Sequence, residues 1–299
     1  SSLYIQDNIL QGVVDESTLT SATGEVNRAR YGVNSPTTGS ATPLKQTAAF
    51  GNVLEHRNKS DDYAFNGTIQ LQKRFSNGLE FNGGYTYSEA KDLMSLTSSI
   101  AFSNYGFATL NGLLNDRELT TSTFSRPHRV VLSGTVNLPA DFEFSLIYSG
   151  VSGSPFGYVI NGDANADGVG GTNREFNDLV YVPRDRDDIT MFGTTPAAQN
   201  AAYDSLATFI GSQECLRNQR GQIMERNSCQ NPWINRMDAR LTKVVPTFAG
   251  QTMVLSLDVF NLLNEQPVLQ SNRNFNNTQE RFVLERLSPR VFRWGLTFH

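Results

Sequence analysis

The sequence is poor in most of the features that mark familiar protein classes. Among 299 residues there are only 2 Cys, 2 Trp and 3 His. The histidines, His56, His128 and His299, lie far apart in the chain, and no G-x-S-x-G nucleophile motif accompanies them. Gly168-Val169-Gly170-Gly171 lacks the Lys-Ser/Thr that would complete a phosphate loop. These absences leave no catalytic constellation, and the chain reads as a non-enzyme. Lys and Arg number 25 against 29 Asp and Glu, a net charge of -4, with no basic tract. Nucleic acid is therefore not an expected partner, because neutralising phosphates requires clustered cations.

Long apolar runs are missing too. A membrane-spanning helix needs about 20 consecutive, mainly apolar residues. Stretches such as Met253 to Leu263 are interrupted by Ser256, Asp258 and Asn261. This excludes a transmembrane helix but not a membrane, since a barrel strand crosses in roughly 9–11 alternating residues. The chain opens at Ser1-Ser2-Leu3-Tyr4, without the Met, basic region and apolar stretch of a signal peptide. The expectation is a piece of a longer polypeptide.

What is present fits a barrel. Hydrophobic residues make up 38% of the chain, and the mean hydropathy is -0.36. Disorder would be the first reading of such values, but disordered segments are poor in aromatics, and this chain has 19 Phe and 10 Tyr. A barrel with an apolar outer face, a polar lumen and polar loops reconciles the two.

Alternation with the two-residue period of a strand recurs. Phe65, Gly67, Ile69 and Leu71 alternate with Asn66, Thr68, Gln70 and Gln72. After Ser76-Asn77-Gly78, a hairpin signal, Leu79, Phe81, Gly83, Tyr85 and Tyr87 alternate with Glu80, Asn82, Gly84, Thr86 and Ser88. A second hairpin turns at Pro139-Ala140-Asp141, between Val130–Leu138 and Phe142–Ser149. A third turns near Pro246 to Gly250, setting Met237, Ala239, Leu241, Met253, Leu255, Leu257 and Val259 against Asp238, Arg240, Thr242, Ser256 and Asp258. A last strand carries Phe292, Trp294, Leu296 and Phe298. Ser1 to Val14 and Ala48 to Arg57 are further candidate strands.

Three tight turns thus alternate with three long polar excursions, at about 90–125, 150–232 and 264–288. Short periplasmic turns and long extracellular loops predict this asymmetry, which a soluble sandwich lacks. The fold class expected is all-β, an antiparallel transmembrane β-barrel of about eight to ten visible strands, with residues 1–299 forming one domain. Tyr85, Tyr87, Tyr148, Phe156 and Trp233 near the long-loop ends, with Phe142 and Phe248 near the turns, suggest interfacial aromatic girdles. Glu143, Asp238, Arg240 and Asp258 fall on the polar face and read as lumen lining.

Two motifs lie in the longest loop. Asp163, Asn165, Asp167 and Gly168 reproduce the D-x-[DN]-x-[DN]-G opening of a calcium loop. The twelfth position is Arg174 rather than Glu, with Glu175 beside it, so a looser site would recruit Asp178, Asp185 or Asp187. Asn, Asp and Gly are also plain turn formers, and both readings stand; no cofactor is required. Cys215 and Cys229, the only cysteines, suit a disulfide on the cell surface. Closing a loop of that size removes on the order of 3 kcal/mol of unfolded-state entropy. Ahead of them in the same loop, Pro196 to Ile210 has helical character.

Several short runs together carry a family resemblance. They are Ser125-Arg126-Pro127-His128-Arg129, Gly162-Asp163-Ala164-Asn165-Ala166-Asp167-Gly168, Asn177-Asp178 and Tyr181-Val182-Pro183-Arg184-Asp185. Cys215-Leu216-Arg217, Arg226-Asn227-Ser228-Cys229, Asn231-Pro232-Trp233, Arg236-Met237-Asp238-Ala239-Arg240 and Asp258-Val259-Phe260-Asn261-Leu262-Leu263-Asn264 follow in order. In order and spacing they resemble the C-terminal barrel portion of TonB-dependent outer-membrane receptors of Gram-negative bacteria, in the Oar-like branch that carries a carboxypeptidase-regulatory-like domain.

The resemblance implies part of a barrel of about 22 strands filled by a plug, with import driven through TonB. No plug, TonB box or first barrel half is seen here, and the chain ends on Phe298-His299 rather than on the family's usual terminal aromatic. The implied partners are outer-membrane lipid, the plug and N-terminal strands of the same polypeptide, and TonB through that missing part. The transported ligand and its binding residues are not legible. The other function considered is a structural or adhesive surface β protein, either an autonomous small barrel or a β assembly.

Overall fold

The computed structural model describes residues 2–9, 28–34, 41–111, 113–160, 162–169, 177–189, 191, 193–266, 268–271, 274–275, 283–286 and 288–298. Arg174, Glu175, His299 and much of 264–288 lie outside the described residues. Seven long strands dominate: β1 (Tyr63–Arg74), β2 (Leu79–Asp92), β3 (His128–Leu138), β4 (Phe142–Val151), β5 (Ile234–Pro246), β6 (Thr252–Phe260) and β7 (Val291–Phe298). Each pairs antiparallel with its neighbours in chain order, and the two-residue strand Thr120–Thr121 adds to the end of β2 to complete an eight-stranded sheet. Among the described residues the sheet does not close, because β1 and β7 share no ladder. No helix among them is long and apolar enough to cross a membrane.

The register explains the alternation. Tyr87 faces His128, Leu132 faces Tyr148, Leu146 faces Ala239, and Leu257 faces Trp294, so the apolar sets lie on one face. On the other face Thr68 meets Thr86 at 2.9 Å, Thr135 meets Ser145 at 3.0 Å, and Asp258 stands opposite both Arg240 and Arg293. Neither face forms a dry core. Ile69, Leu132, Leu255 and Trp294 are all exposed on the apolar face. A sheet that leaves its large aliphatic side chains open relies on a non-aqueous surrounding, as a barrel wall does.

Short turns join the strands at one end. Gly78 follows Asn77 with φ of 81°, while Ala140 and Asp141 take φ of 62° and 58° in succession. Consecutive left-handed residues match the right-handed twist of the strands they join.

At the opposite end the long connections pack into a cap, and there the chain buries its core. Phe156, Tyr158, Leu179, Val182, Ile210, Leu216 and Met224 form one buried cluster. Ile9, Tyr31, Tyr105, Leu110, Leu114 and Val169 form a second. The segment preceding β1 belongs to this cap: Ser2–Gln6 pairs with Leu54–Asn58, and Asn115 exchanges two hydrogen bonds with Gln6. Of the early strands expected from sequence, Ser2–Gln6 and Leu54–Asn58 form but lie outside the main sheet, and residues 10–14 fall outside the described residues.

α1 (Ala101–Phe107) and α2 (Pro196–Ser212) are the longer helices of the cap. α2 starts where Thr195 accepts from the Ala198 N–H and Pro196 supplies a preset first turn. It docks through Ile210, Leu206 and Phe209.

Candidate functional site

The polar sheet face carries a charged cluster built by three adjacent strands. The Asp258 carboxylate on β6 is buried and accepts from Arg293 on β7 at 2.8 Å and 3.1 Å, with Arg240 on β5 at 3.5 Å. Arg236 pairs with Asp238, which also receives the Asn261 N–H at 2.8 Å. Glu143, read from sequence with this set, is opposite Thr242 and does not join it. Together the paired groups make a mixed-charge surface on the polar face of the sheet.

An aromatic group sits on the apolar face at the cap end. His128 stacks with Tyr85 at 6.1 Å and with Trp233 at 6.3 Å, and contacts Tyr87 at 5.7 Å. Tyr85 Oη lies 2.8 Å from His128 Nδ1, and Tyr148 donates to Asn235. Amphipathic rings at this level fit a headgroup boundary. Phe156 does not belong with them. It is 3% exposed, packs edge-on to Tyr158 at 5.3 Å, and sits in the cap core; its place next to a strand end gave no sign of that.

The cap is anchored by a side chain that sequence reading missed. Arg226 is buried; it pairs with Asp92 at 2.7 Å, and donates to Thr120 at 2.8 Å and Ser95 at 3.1 Å. The neighbouring Asn227 donates to the Thr121 carbonyl at 2.7 Å. This ties the longest loop to the top of β2. Cys215 and Cys229 form a disulfide across 5.2 Å between their α-carbons. It joins the short helix Glu214–Arg217 to the strand Cys229–Gln230, which pairs with Pro155–Phe156.

The acidic loop gathers several buried polar groups of the cap. Asp163 accepts the Asp167 N–H at 3.1 Å and the Gly168 N–H at 2.8 Å; Asn165 accepts the Asp167 N–H at 3.0 Å. Gly168 has φ of 85° and abuts Pro43, so a side chain there would be both strained and crowded. Asp178 closes the loop, accepting the Ala164 and Asn165 N–H groups and pairing with Arg28 at 3.3 Å. Asp167, Asp178, Asn165 and Asn177 are essentially fully buried.

Structure therefore brings Asp163, Asn165, Asp167 and Asp178 together, while Asp185 and Asp187 lie in and next to a separate turn. Burial first, and the Asp178 charge second, push the carboxyls of Asp163 and Asp167 well above the usual carboxylate range. Burial likewise raises the Tyr105 phenol and lowers the Arg117 guanidinium to about 10. Among the described residues, no three carboxylate, imidazole or thiolate groups close around a point as they stand.

A meandering antiparallel wall, apolar on one side and charged on the other, with turns at one end and a packed cap at the other, defines a transmembrane β-barrel protein. A family model described as "Outer membrane beta barrel domain" matches residues 15–283, and the chain belongs to that family. Its place is the bacterial outer membrane, with the apolar face of the wall against lipid. No curated protein matches the chain.

Proposed function

We propose that this chain forms barrel wall and ligand-capturing extracellular cap in a TonB-dependent importer, with residues 1–299 as the C-terminal portion of one larger barrel. The observation that carries the reading is the pair of unjoined edges at β1 and β7. Unpaired backbone N–H and C=O groups are intolerable in lipid, so the wall calls for further strands, and a barrel wider than this sheet would supply them. A wide lumen also accounts for the charged face around Asp258, Arg240 and Arg293, which a plug could oppose.

In this reading the cap meets the ligand outside the cell, the plug gates the lumen and TonB supplies the energy through that plug. The reading contains no catalytic step.

The test compares solutes consumed from the medium by wild-type cells, cells lacking this protein and cells lacking TonB. Import expects a solute that both mutants leave behind. The proposal fails if cells lacking the protein take up every solute normally but lose adhesion or surface integrity, which is the outcome a structural or adhesive protein would give.

A further inference from the structure

Asp167 is fully buried and Asp163 partly so, and among the described residues neither carboxylate has an ion pair, although the buried Arg117 guanidinium acts on Asp167 from a distance. Asp163, Asp167 and Asp178 all accept backbone N–H groups from the segment 164–169, and Arg28 pairs with Asp178. Asp167 Oδ2 receives only amide hydrogens, from Asn177 at 2.9 Å and weakly from Asn165 at 3.4 Å. Amides are poor compensation for a buried carboxylate, which usually requires a cation or a proton.

A second observation points to a missing partner. Asn177 is 0% exposed, and its Oδ1 has no hydrogen-bond donor. As it stands, the amide presents Nδ2 rather than this oxygen to Asp167. Turning the amide over would set oxygen against oxygen, which only a cation between them would favour. The Tyr105 hydroxyl, also buried and unpartnered, feels the charges of Asp167 and Asp163.

The available donors are all oxygens, two from carboxylates and two from amides, on a loop turned by Gly168. Hard oxygen donors in flexible, irregular geometry suit calcium; zinc would want nitrogen or sulfur, and magnesium a stricter octahedron. We propose that this loop binds one calcium ion through Asp163, Asn165, Asp167 and Asn177. Asp178 acts as a positioning residue: it holds the Ala164 and Asn165 N–H groups and is itself held by Arg28.

The ion would then lock the loop to its neighbours. The Asn165 carbonyl receives the Tyr31 N–H at 2.7 Å, and the Asn177 carbonyl receives the Leu110 N–H at 2.6 Å. A bound ion would thus tie the acidic loop to the segments that carry Tyr31 and Leu110. The inference is independent of the import reading.

The test uses the full-length protein in detergent micelles, stripped with chelator and titrated calorimetrically with calcium. Terbium serves as a second probe, its emission excited through Tyr105 and Tyr31. The expected result is one saturable site, with a dissociation constant of about 0.1–1 mM as in extracellular calcium modules, and terbium emission that calcium quenches but equimolar magnesium does not.

Asp167→Asn and Asn177→Ala should each weaken calcium binding at least about tenfold, while Asp187→Asn, in the separate turn beside Asp185, leaves it unchanged. Asp167→Asn removes charge from a crowded site, so it should fold, as heat-modifiable gel migration would verify. Absence of a saturable site in the wild-type protein overturns the proposal whatever the variants do. Undiminished binding by Asp167→Asn and Asn177→Ala, or equal affinity for magnesium, overturns it as well.

Discussion

Arg226 and Asp92 meet at 2.7 Å although 134 residues separate them in the chain, and both side chains are largely withdrawn from water. One belongs to the longest loop and the other to the last position of a wall strand, so this ion pair is where the cap is fastened to the barrel.

Removing one partner should loosen the cap without touching the wall. Breaking a buried pair by deleting one charge costs about 3–5 kcal/mol. Arg226→Met is expected to expose cap amides around 214–231 to hydrogen exchange while β2 to β5 stay protected. Asp92→Asn should do the same, and in a double-mutant cycle the two losses should be clearly less than additive. Additive losses would mean that the pair is not coupled.

Reduction should act locally too. Replacing Cys215 and Cys229 by Ser removes the constraint on a loop with a sequence separation of 14. The expected cost is about 3 kcal/mol, seen as faster proteolysis within the cap and unchanged migration of the unheated barrel on gels. Loss of the folded barrel band would show that the staple supports the wall instead.

The two faces of one strand should respond oppositely to charge. Leu132 and Ser133 are neighbours near the middle of β3, on the apolar and polar faces respectively. Leu132→Arg should destabilise by about 2–4 kcal/mol in lipid, as measured by reversible unfolding from vesicles, and Ser133→Arg by far less. Equal penalties would refute the assignment of faces.

The wall was legible in the sequence because its physics is periodic. A strand between lipid and water must alternate, and Phe81 to Tyr87 against Glu80 to Thr86 displays that pattern with no structural help. Turn chemistry at Asn77-Gly78 was equally local. The cap was not legible. Tyr105, Leu110, Leu114, Leu179 and Met224 are buried, yet they come from irregular segments with no repeat to announce a face. Phe156 illustrates the cost: its position beside a strand end suggested a girdle, whereas only the pairing of Pro155–Phe156 with Cys229–Gln230 reveals where the ring goes.

The residues of the acidic loop were visible through their spacing, and the cysteines through their scarcity. Asn177 and Arg28 were not, because the first owes its role to an unmatched oxygen and the second to a contact with Asp178 across 150 positions.

Core truncation in the cap should separate the same two layers. Phe156→Ala empties a well-packed position and is expected to cost about 3–5 kcal/mol. The readout is increased binding of a hydrophobic dye at the extracellular side, with tyrosine and tryptophan emission from the aromatic group around His128 unchanged. Dye binding equal to wild type would contradict the packing described for that ring.

The hairpins β1–β2, β3–β4 and β5–β6 of the wall close through tight turns, whereas the cap joins Arg28 to Asp178 and Arg226 to Asp92. Contacts between near neighbours form early because little chain must be closed to make them, and distant ones wait. Biogenesis should therefore run in two stages, with hairpins entering the bilayer one after another and the outward-facing lid knitting together only once the last of its contributing loops has been delivered.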